Sequence, residues 1–386
     1  MRILLVYDCL FPYTVGGAER WLRGVAERLA AEGHDVTYVT LRQWPRGSAA
    51  DVPGVRVVAA GPRMALYVDG RRRILPPLVF GAGVLWHLLL RGRRYDVVHT
   101  ASFPFFSLLA AALTRRLHRF RLVVDWYEVW TRDYWTGYLG RIGGRVGHAI
   151  QRRCIHVSQR AVCFSRLHAA RLREEGLRGE PTVLEGMFSL VAGPSASPPA
   201  SGEVVFAGRH IPEKRAPALV PALVIARERL PGLRATIFGD GPQRAEVQRL
   251  IAEHDADEWL RAPGFVAAQE VDAALRAALC MVLPSSREGY GMIVVEASAA
   301  GVPSIVVAGP DNAAVELIEE GVNGTVATSA SAQDLADAIV RVAQAGQALR
   351  ESTATWYAAN AVRLSASDSL RRLAETYATA LPSTRA

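Results

Sequence analysis

The sequence predicts two successive α/β domains, each a doubly wound parallel sheet with helices on both faces. Three observations support this prediction. The chain has 386 residues, which exceeds one ordinary hydrophobic core. Short apolar runs alternate with amphipathic stretches of helical period. This alternation stops at a small, proline-rich segment and then restarts, as expected of two domains of the same class.

The first predicted domain covers residues 1–190 and begins with a strand. A helix at 18–32 ends at Gly33, and further helices are predicted at 107–117 and up to residue 175. The predicted strands of this domain are 2–7, 35–40, 55–59, 96–100, 122–125 and 160–165.

Residues 191–202 have the composition of an interdomain linker, and the second predicted domain covers 203–355. Because doubly wound sheets bind ligands at the carboxyl ends of their strands, a central cleft between the two domains is the expected site. The helices predicted after the linker are 216–229, 242–254, 271–278, 292–300, 313–319, 332–345 and 356–380.

The composition is that of a folded protein with an anionic partner. Half of the residues are hydrophobic, and the net charge is +8, which suits a nucleotide diphosphate, an acidic membrane surface or nucleic acid. Charge alone does not choose among these partners. Four cysteines show neither paired nor metal-ligand spacing, so we expect a reducing, cytoplasmic location and no zinc site. The amino-terminal apolar run is interpreted as a buried strand and not as a signal peptide.

One longer apolar stretch, residues 74–90, is interrupted by prolines and glycines and flanked by arginines on both sides. It is too short and broken to predict a transmembrane helix. Two interpretations stay open: a core helix with solvated ends, or a membrane-facing patch with basic anchors that would bring a lipid-linked acceptor to the protein. The second would place the chain peripherally at the inner face of an acidic membrane.

The most informative stretch runs from Leu283 to Pro303, where a strand enters a glycine-bearing turn and then a helix. Glu288 precedes the turn, and Glu296 lies about two helical turns further on. Two carboxylates on one side of a cleft can bind sugar hydroxyls through charge-assisted hydrogen bonds. The alternative is a helix-terminal charge and a solvated surface group.

A second stretch places Gly208 and Arg209 at the end of a strand and Lys214 five residues later. Lys214 is the only lysine in the chain, since the other basic residues are arginines. A forked guanidinium and a compact ammonium can hold one diphosphate from two sides. A solvated basic loop is the alternative.

Two glycine turns are weaker signals. Gly16 and Gly17 lie between the first strand and helix, where backbone amides can approach phosphate or sugar oxygens. Gly239 follows a strand in the second domain. Plain tight turns would explain both, and neither has the G-x-G-x-x-G spacing of a dinucleotide site.

Together these stretches resemble the retaining glycosyltransferase family 4, which has the GT-B fold, over nearly the whole chain. The most specific element is E-G-Y-G-x-x-x-x-E-A-x-A-x-G-x-P, which contains Glu288 and Glu296. The other elements are the G-G-A-E-R run at residues 16–20, the G-R loop that ends at Lys214, the F-G-D-G-P turn at 238–242, and Phe164-Ser165 before a helix.

The resemblance implies a role for each matching position. Arg209 and Lys214 would stabilise the leaving diphosphate, and Glu288 would contact the donor sugar beside Gly289, Tyr290 and Gly291. Glu296 would bind the ribose, and Phe265 and Val266 the base. Gly16, Gly17, Gly208 and Gly239 would lie near the donor. The helix 356–386 would cross back to the first domain. No metal and no cofactor are expected, because the two cations take the electrostatic role of a metal.

One position departs from the motif. The run Asp125-Trp126-Tyr127-Glu128 resembles a branch of the family in which a histidine stands where this chain has Tyr127, and there the histidine lies beside the donor sugar. Tyrosine donates one hydrogen bond but does not titrate near neutrality. An altered pocket for a deoxy or modified sugar and a neutral exchange both stay open.

The predicted reaction transfers a sugar from a nucleotide diphosphate to a hydroxyl acceptor with retained configuration, and no nucleic-acid partner is expected. The acceptor class stays open among glycan, glycolipid and small natural product. Aromatic residues of the first domain between Phe103 and Trp135 would stack on the acceptor or pack in the core. The alternatives are a GT-B relative that acts as an epimerase, phosphorylase or pseudo-glycoside synthase, an inactive binding protein, and a nicotinamide-dependent oxidoreductase.

Overall fold

In the computed structural model, tertiary contacts divide the chain into two units. The first unit combines Met1–Met187 with Ser367–Ala386, and the second is Phe188–Ala366. The predicted linker lies outside the described residues except for Gly202. The structure describes residues 1–45, 47–68, 71–187 and 202–378.

The first unit is built on a parallel sheet of seven strands in the order β3-β2-β1-β6-β7-β8-β9, and a short antiparallel hairpin joins β4 to β5. The strands are β1 (Arg2–Val6), β2 (Asp35–Thr40), β3 (Val55–Ala59), β4 (Tyr67–Val68), β5 (Arg71–Arg72), β6 (Val97–Ala101), β7 (Arg121–Trp126), β8 (Arg160–Cys163) and β9 (Thr182–Val183). Its helices are α1 (Gly17–Ala31), α2 (Leu75–Arg91), α3 (Phe105–His118), α4 (Arg132–Ile155) and α5 (Arg166–Glu174).

The second unit repeats this design with a parallel sheet of six strands in the order β12-β11-β10-β13-β15-β17, and β14 pairs with β16 outside it. The strands are β10 (Glu203–Ala207), β11 (Arg234–Phe238), β12 (Leu260–Gly264), β13 (Cys280–Leu283), β14 (Arg287–Glu288), β15 (Ser304–Val307), β16 (Asp311–Asn312) and β17 (Gly324–Ala327). Its helices are α6 (Leu219–Arg229), α7 (Arg244–Glu253), α8 (Ala268–Ala277), α9 (Met292–Ala299) and α10 (Ala332–Asn360).

Both sheets confirm the predicted fold class. Their strands are apolar along their length because helices cover both faces, and Ile3, Leu4, Leu5 and Val6 of β1 are fully buried. In each sheet the strand order reverses beside the first strand, between β1 and β6 and between β10 and β13. The connections leave in opposite directions at such a point, so a crevice forms at the carboxyl ends of these two strands.

The helix α4 is absent from the sequence prediction because its many glycines hide the helical period. Gly140 interrupts the helix with a φ of 74°. A Cβ at Gly144 would lie 2.6 Å from Thr136 Cα, and one at Gly147 would lie 2.5 Å from the Trp135 ring. These two glycines therefore let the two parts of α4 pack closely.

The predicted helix 356–380 is wrong in its boundaries. Helix α10 continues through a non-helical Gly346 to Asn360, and Trp356 within it donates a hydrogen bond to Glu319 of the second unit at 3.1 Å. A separate last helix, Ala366–Ala378, belongs almost entirely to the first unit. There the Tyr377 hydroxyl lies 2.7 Å from Nδ1 of His99 in β6. The segment that joins the first unit thus begins about ten residues later than predicted.

The predicted helix 313–319 is also wrong in type. The structure has a short 3-10 helix at Ala313–Leu317.

Helix α2 packs along α3 and has two different faces. Phe80, Val84 and Leu88 are buried, whereas Trp86 and Leu90 are exposed. By length and composition, Leu75–Arg94 is the one stretch among the described residues that could cross a membrane, and 44% of its apolar window is buried in the protein. The interpretation of this segment as a core helix therefore holds for its buried face and not for its exposed face.

Close packing of α2 against the loop after β3 generates a stability prediction. A Cβ at Gly83 would lie 1.7 Å from the carbonyl oxygen of Ala60, so Gly83→Ala must displace the helix or that loop. We expect a loss of about 1–3 kcal/mol, as for other overpacked sites. The measurement is the free energy of unfolding of the purified protein in urea.

Gly137→Ala is the matched control, because it lies within α4 and no atom stands within 4 Å of its added Cβ. There we expect a gain of about 0.5–1 kcal/mol from helix propensity. Equal effects of the two substitutions would contradict the packing argument.

Candidate functional site

The point of strand reversal in the second unit brings together two loops that are distant in sequence. One follows β10 and contains Gly208, Arg209 and Lys214. The other follows β13 and contains Ser285 and Glu288. Because β10 and β13 are parallel neighbours, both loops leave the same edge of the sheet.

Lys214 and Glu288 form an ion pair across these loops. Lys214 ends a short 3-10 turn, and its Nζ donates a hydrogen bond to Oε1 of Glu288. The Glu288 side chain is 9% exposed and that of Lys214 is 21% exposed, so water screens the pair only weakly. The Ser285 hydroxyl donates a second hydrogen bond to the same oxygen at 2.7 Å. The two catalytic candidates from separate motifs are therefore in direct contact.

Neighbouring polar groups fix the position of Glu288. Strand β14 pairs Glu288 with Asn312 of β16, and the Asn312 amide donates to the carbonyl of Ser285 at 3.2 Å and to that of Val307 at 2.8 Å. The backbone N–H of Ser286 donates to the Glu213 carbonyl at 2.8 Å, beside Lys214. Sequence reasoning missed Ser285 and Asn312, since only the short β14–β16 pairing gives them their role.

The glycine-bearing turn after Glu288 leads into α9. Gly291 adopts a φ of 103° at the start of the helix, and a Cβ there would lie 2.8 Å from the Ala314 side chain. Gly289 is half-buried and Tyr290 is buried in the same turn. Glu296 lies in the middle of α9 and is half-buried. Backbone N–H groups at a helix start of this kind suit an anion or sugar oxygens.

Gly208 and Gly239 lie against each other at the carboxyl ends of β10 and β11. Gly239 has a φ of 117°, and a Cβ there would lie 1.8 Å from the Gly208 carbonyl oxygen. These glycines therefore have a packing role, and their predicted contact with the donor stays a prediction. Arg209 is exposed on the same loop, and no hydrogen bond or ion pair of its side chain is found within the described ranges.

The segment after β12 was predicted to contact a base. Phe265 is 71% exposed, and Val266 is half-buried. The Arg244 guanidinium donates to the carbonyls of Ala262 and Pro263 at 3.4 and 3.3 Å. An exposed ring on a braced turn can stack on a planar group.

At the corresponding edge of the first unit, Gly16 precedes α1 and Gly17 is its first residue. A fully buried carboxylate, Asp8, follows β1 and pairs with Arg72 of the hairpin. The Arg72 guanidinium also lies 4.7 Å from the centre of the Phe103 ring. Pairing of this kind is what a buried carboxylate requires.

Tyr127 follows β7 and is held by two contacts. Its ring stacks on Phe164 with centroids 5.1 Å apart, and its hydroxyl donates to Asp125 at 3.3 Å. Burial, followed by the nearby Asp125 carboxylate, raises the pKa of Tyr127 well above its usual value, so the phenol keeps its proton. Asp125 is itself fully buried and also accepts from Trp21 at 3.0 Å, and His99 lies 2.8 Å from it. Asp125 and His99 were not predicted as site residues.

A cavity of about 170 Å³ lies within the first unit near Tyr127. Aromatic rings form most of its wall, and Glu128 supplies a carboxylate that accepts from the Trp130 indole at 2.8 Å. Of the seven predicted aromatic residues, four line the cavity, and Trp126 is fully buried in the core. The lining residues are Tyr7, Ala18, Ser102, Phe103, Phe105, Tyr127, Glu128, Trp130, Trp135 and Gln151.

Within the part of the chain that the structure describes, no three histidine, cysteine or acidic side chains are grouped as a metal site would require. The four cysteines, all within the described residues, are buried and form no disulfide there.

Two family models match this chain. One, described as glycosyl transferases group 1, matches residues 194–355, and the other, described as a glycosyl transferase 4-like domain, matches residues 16–185. This chain belongs to the GT-B glycosyltransferases. The strand reversal that brings Lys214 to Glu288 thus lies within the matched segment 194–355.

Similar proteins agree with this assignment. The glycogen synthase of Mycobacterium tuberculosis is 29% identical to this glycosyltransferase over 361 residues, which cover 87% of this chain and 84% of that enzyme. A GDP-mannose-dependent phosphatidylinositol monomannoside mannosyltransferase of the same organism is 32% identical over 146 residues, or 36% of this chain and 37% of that enzyme.

Solved structures share the GT-B fold. Sucrose-phosphate synthase from Thermosynechococcus elongatus aligns with a TM-score of 0.80 and 19% identity over 97% of this chain and 98% of its own. Anabaena HepE, solved in complex with UDP and glucose, aligns with a TM-score of 0.73 and 19% identity over 98% of this chain and 100% of its own.

The Lys214–Glu288 pair generates a stability prediction for the glycosyltransferase. Lys214→Met leaves the nearly buried carboxylate without its cation, and we expect a loss of about 1–3 kcal/mol. Adding Glu288→Gln should restore most of that loss, because an amide needs no counter-charge and can still accept from Ser285. The measurement is a double-mutant cycle on the free energy of unfolding. A double variant less stable than Lys214→Met would contradict the pairing.

Proposed function

We propose that this glycosyltransferase takes its sugar from a nucleotide-diphosphate donor and transfers it, with retained configuration and without a metal ion, to a hydroxyl acceptor. The observation that carries the proposal is the contact between Lys214 and Glu288 at the strand reversal of the second unit. It joins the residue assigned to the leaving group to the residue assigned to the sugar.

The chemistry of this pair suits a diphosphate leaving group. An ammonium has three N–H donors, and Lys214 uses one of them on Glu288, so the others can reach phosphate oxygens. Arg209 would contribute a forked guanidinium from the same loop. Two fixed cations would stabilise the negative charge that develops on the diphosphate as the glycosidic bond breaks, which is the role a metal takes elsewhere.

Glu288 would orient the donor sugar. Lys214 and Ser285 both donate to its Oε1, which leaves Oε2 to accept from sugar hydroxyls. The N–H groups of the turn at Gly289, Tyr290 and Gly291 would add donors on the same side. Glu296, in helix α9 directly after this turn, would bind the ribose. Phe265 and Val266 would contact the base.

The first unit would bind the acceptor and make the remaining contacts with the donor. Gly16 and Gly17 at the start of α1 offer backbone amides to phosphate or sugar oxygens. The aromatic cavity beside Tyr127 would bind a ring of the acceptor, which we leave as a glycan, a glycolipid or a small natural product. The leaving phosphate would accept the proton of the acceptor hydroxyl on the same face of the sugar, which preserves the anomeric configuration.

Removing either cation tests the mechanism. We expect Arg209→Ala and Lys214→Ala each to lower turnover by about 100-fold or more, as for other fixed groups that stabilise developing charge. The measurement is nucleotide release in the presence of acceptor. Arg234→Ala is the control. This exposed arginine is the first residue of β11, at the amino-terminal ends of the strands, whereas Arg209 and Lys214 follow a carboxyl end of the same sheet.

The same assay contains EDTA and an α-configured donor, so that it also reports on metal use and on stereochemistry. We expect full activity and an α-linked product by proton NMR. Activity that requires added Mg²⁺, or a β-linked product, would contradict the proposal. Near-normal rates in both alanine variants would remove Arg209 and Lys214 from the mechanism.

Tyr127 is proposed to set donor choice. Its ring is fixed by Phe164 and its hydroxyl by Asp125, so the pocket has a rigid phenol where a relative would present an imidazole. We expect the parent to prefer a deoxy or modified sugar and Tyr127→His to shift the preference toward unmodified glucose. Melting temperatures across a set of nucleotide sugars, followed by turnover, measure this. A parent that already prefers glucose would disprove it.

A further inference from the structure

We propose that α2 and its flanking arginines dock this glycosyltransferase on the surface of an anionic membrane. The docking surface is defined as Ile74, just before α2, and the outer side chains of α2, with four exposed arginines at its two ends. Its residues are Arg73, Ile74, Leu75, Leu78, Trp86, Leu89, Leu90, Arg91, Arg93 and Arg94. The proposal goes beyond the sugar transfer and does not depend on it.

The apolar part of the surface lies along one side of α2. Ile74 is 69% exposed, Trp86 is 66% exposed and Leu90 is 64% exposed. Within α2, the exposed residues Leu75, Leu78, Trp86 and Leu89 follow one another at spacings of three, eight and three residues, which keeps them on one side of the helix. Phe80 and Leu88 lie on its other side and are buried. A row of exposed large apolar side chains on one helix is typical of a surface that binds a membrane or another protein.

The neighbouring helix α3 also has exposed leucines. Leu113 and Leu117 of α3 are exposed, at 59% and 61%. Leu117 precedes His118, whose ring lies against Gly92 at the carboxyl end of α2. The carboxyl ends of α2 and α3 therefore lie together, and each helix has exposed leucines near that end.

Charge decides the kind of partner. Residues 71–124 contain ten arginines and one acidic residue, Asp96, which pairs with Arg2. Arginines at both ends of the apolar row can extend their apolar stems along it and place their guanidinium groups among lipid phosphates. Two copies of such a surface would repel each other, and nucleic acid would not match the leucines and tryptophan. Anionic lipid matches both components.

The inner face of α2 indicates that the helix lies on the membrane and does not cross it. Phe80, Val84 and Leu88 are part of the core of the first unit. A crossing orientation would remove these side chains from that core. A helix with one buried face and one apolar, basic face fits the interfacial class.

Sedimentation with lipid vesicles tests this inference on the full chain. We expect binding to phosphatidylcholine vesicles that contain phosphatidylglycerol, little binding to phosphatidylcholine alone, and weaker binding as salt rises. Arg93→Gln with Arg94→Gln should weaken binding by roughly 10- to 30-fold, from about 1 kcal/mol per arginine at an anionic surface. Trp86→Ser with Leu90→Ser should weaken it by roughly 10-fold or more.

Matched controls lie elsewhere on the chain. Arg178→Gln with Arg234→Gln removes the same charge from exposed positions outside the docking surface, and Val362→Ser removes an apolar side chain that is 76% exposed. We expect both to bind like the parent. All substituted side chains are exposed, so melting temperatures should not change.

Fluorescence locates the contact without weakening it. Vesicles with brominated acyl chains should quench part of the tryptophan emission, and Trp86→Phe should remove that part while binding persists. Three results would each overturn the proposal: no binding to anionic vesicles at low salt, parent-like binding by both docking-surface variants, or quenching unchanged in Trp86→Phe. Self-association that Trp86→Ser abolishes would assign the surface to a second copy and would also overturn it.

Discussion

The ion pair between Lys214 and Glu288 is the contact around which the functional part of the second unit is organised. It exists because the strand order of the sheet reverses between β10 and β13, so that the loops after these two strands leave the same edge. A nearly buried carboxylate at such a point must find a cation and a hydroxyl, which Lys214 and Ser285 supply. The stability of the loops and the chemistry proposed for them therefore rest on the same groups.

The first unit solves a similar problem at its own strand reversal. Asp8 follows β1 and is fully buried, and Arg72 reaches it from the hairpin that precedes α2. On the next strand but one, Asp125 accepts from Trp21 and Tyr127 and lies beside His99. Buried carboxylates at both positions thus hold loops and aromatic rings in place near the edge where doubly wound sheets bind ligands.

Helix α2 serves two environments at once. Its inner face supplies part of the core of the first unit, and the close approach of Gly83 to the Ala60 carbonyl leaves no room for a side chain. Its outer face carries Trp86 and leucines that the core does not need. A soluble core helix would normally have polar residues there, so the composition of this face reflects a demand other than folding.

The sequence alone determined the fold class, most strand positions and the motif residues, because apolar periodicity, glycine turns and charged motifs are local properties. Strands at 35–40 and 55–59, for example, were predicted with their observed ends. Only the tertiary structure decided that Lys214 meets Glu288, 74 residues away, that Ser285 and Asn312 support that contact, and that the glycines of α4 pack its two parts. The end of α10 at Asn360 was likewise decided by the tertiary structure. The Lys214–Glu288 contact depends on the spatial order of the strands in the sheet, and the others depend on packing between segments; periodicity along one segment carries no information about either.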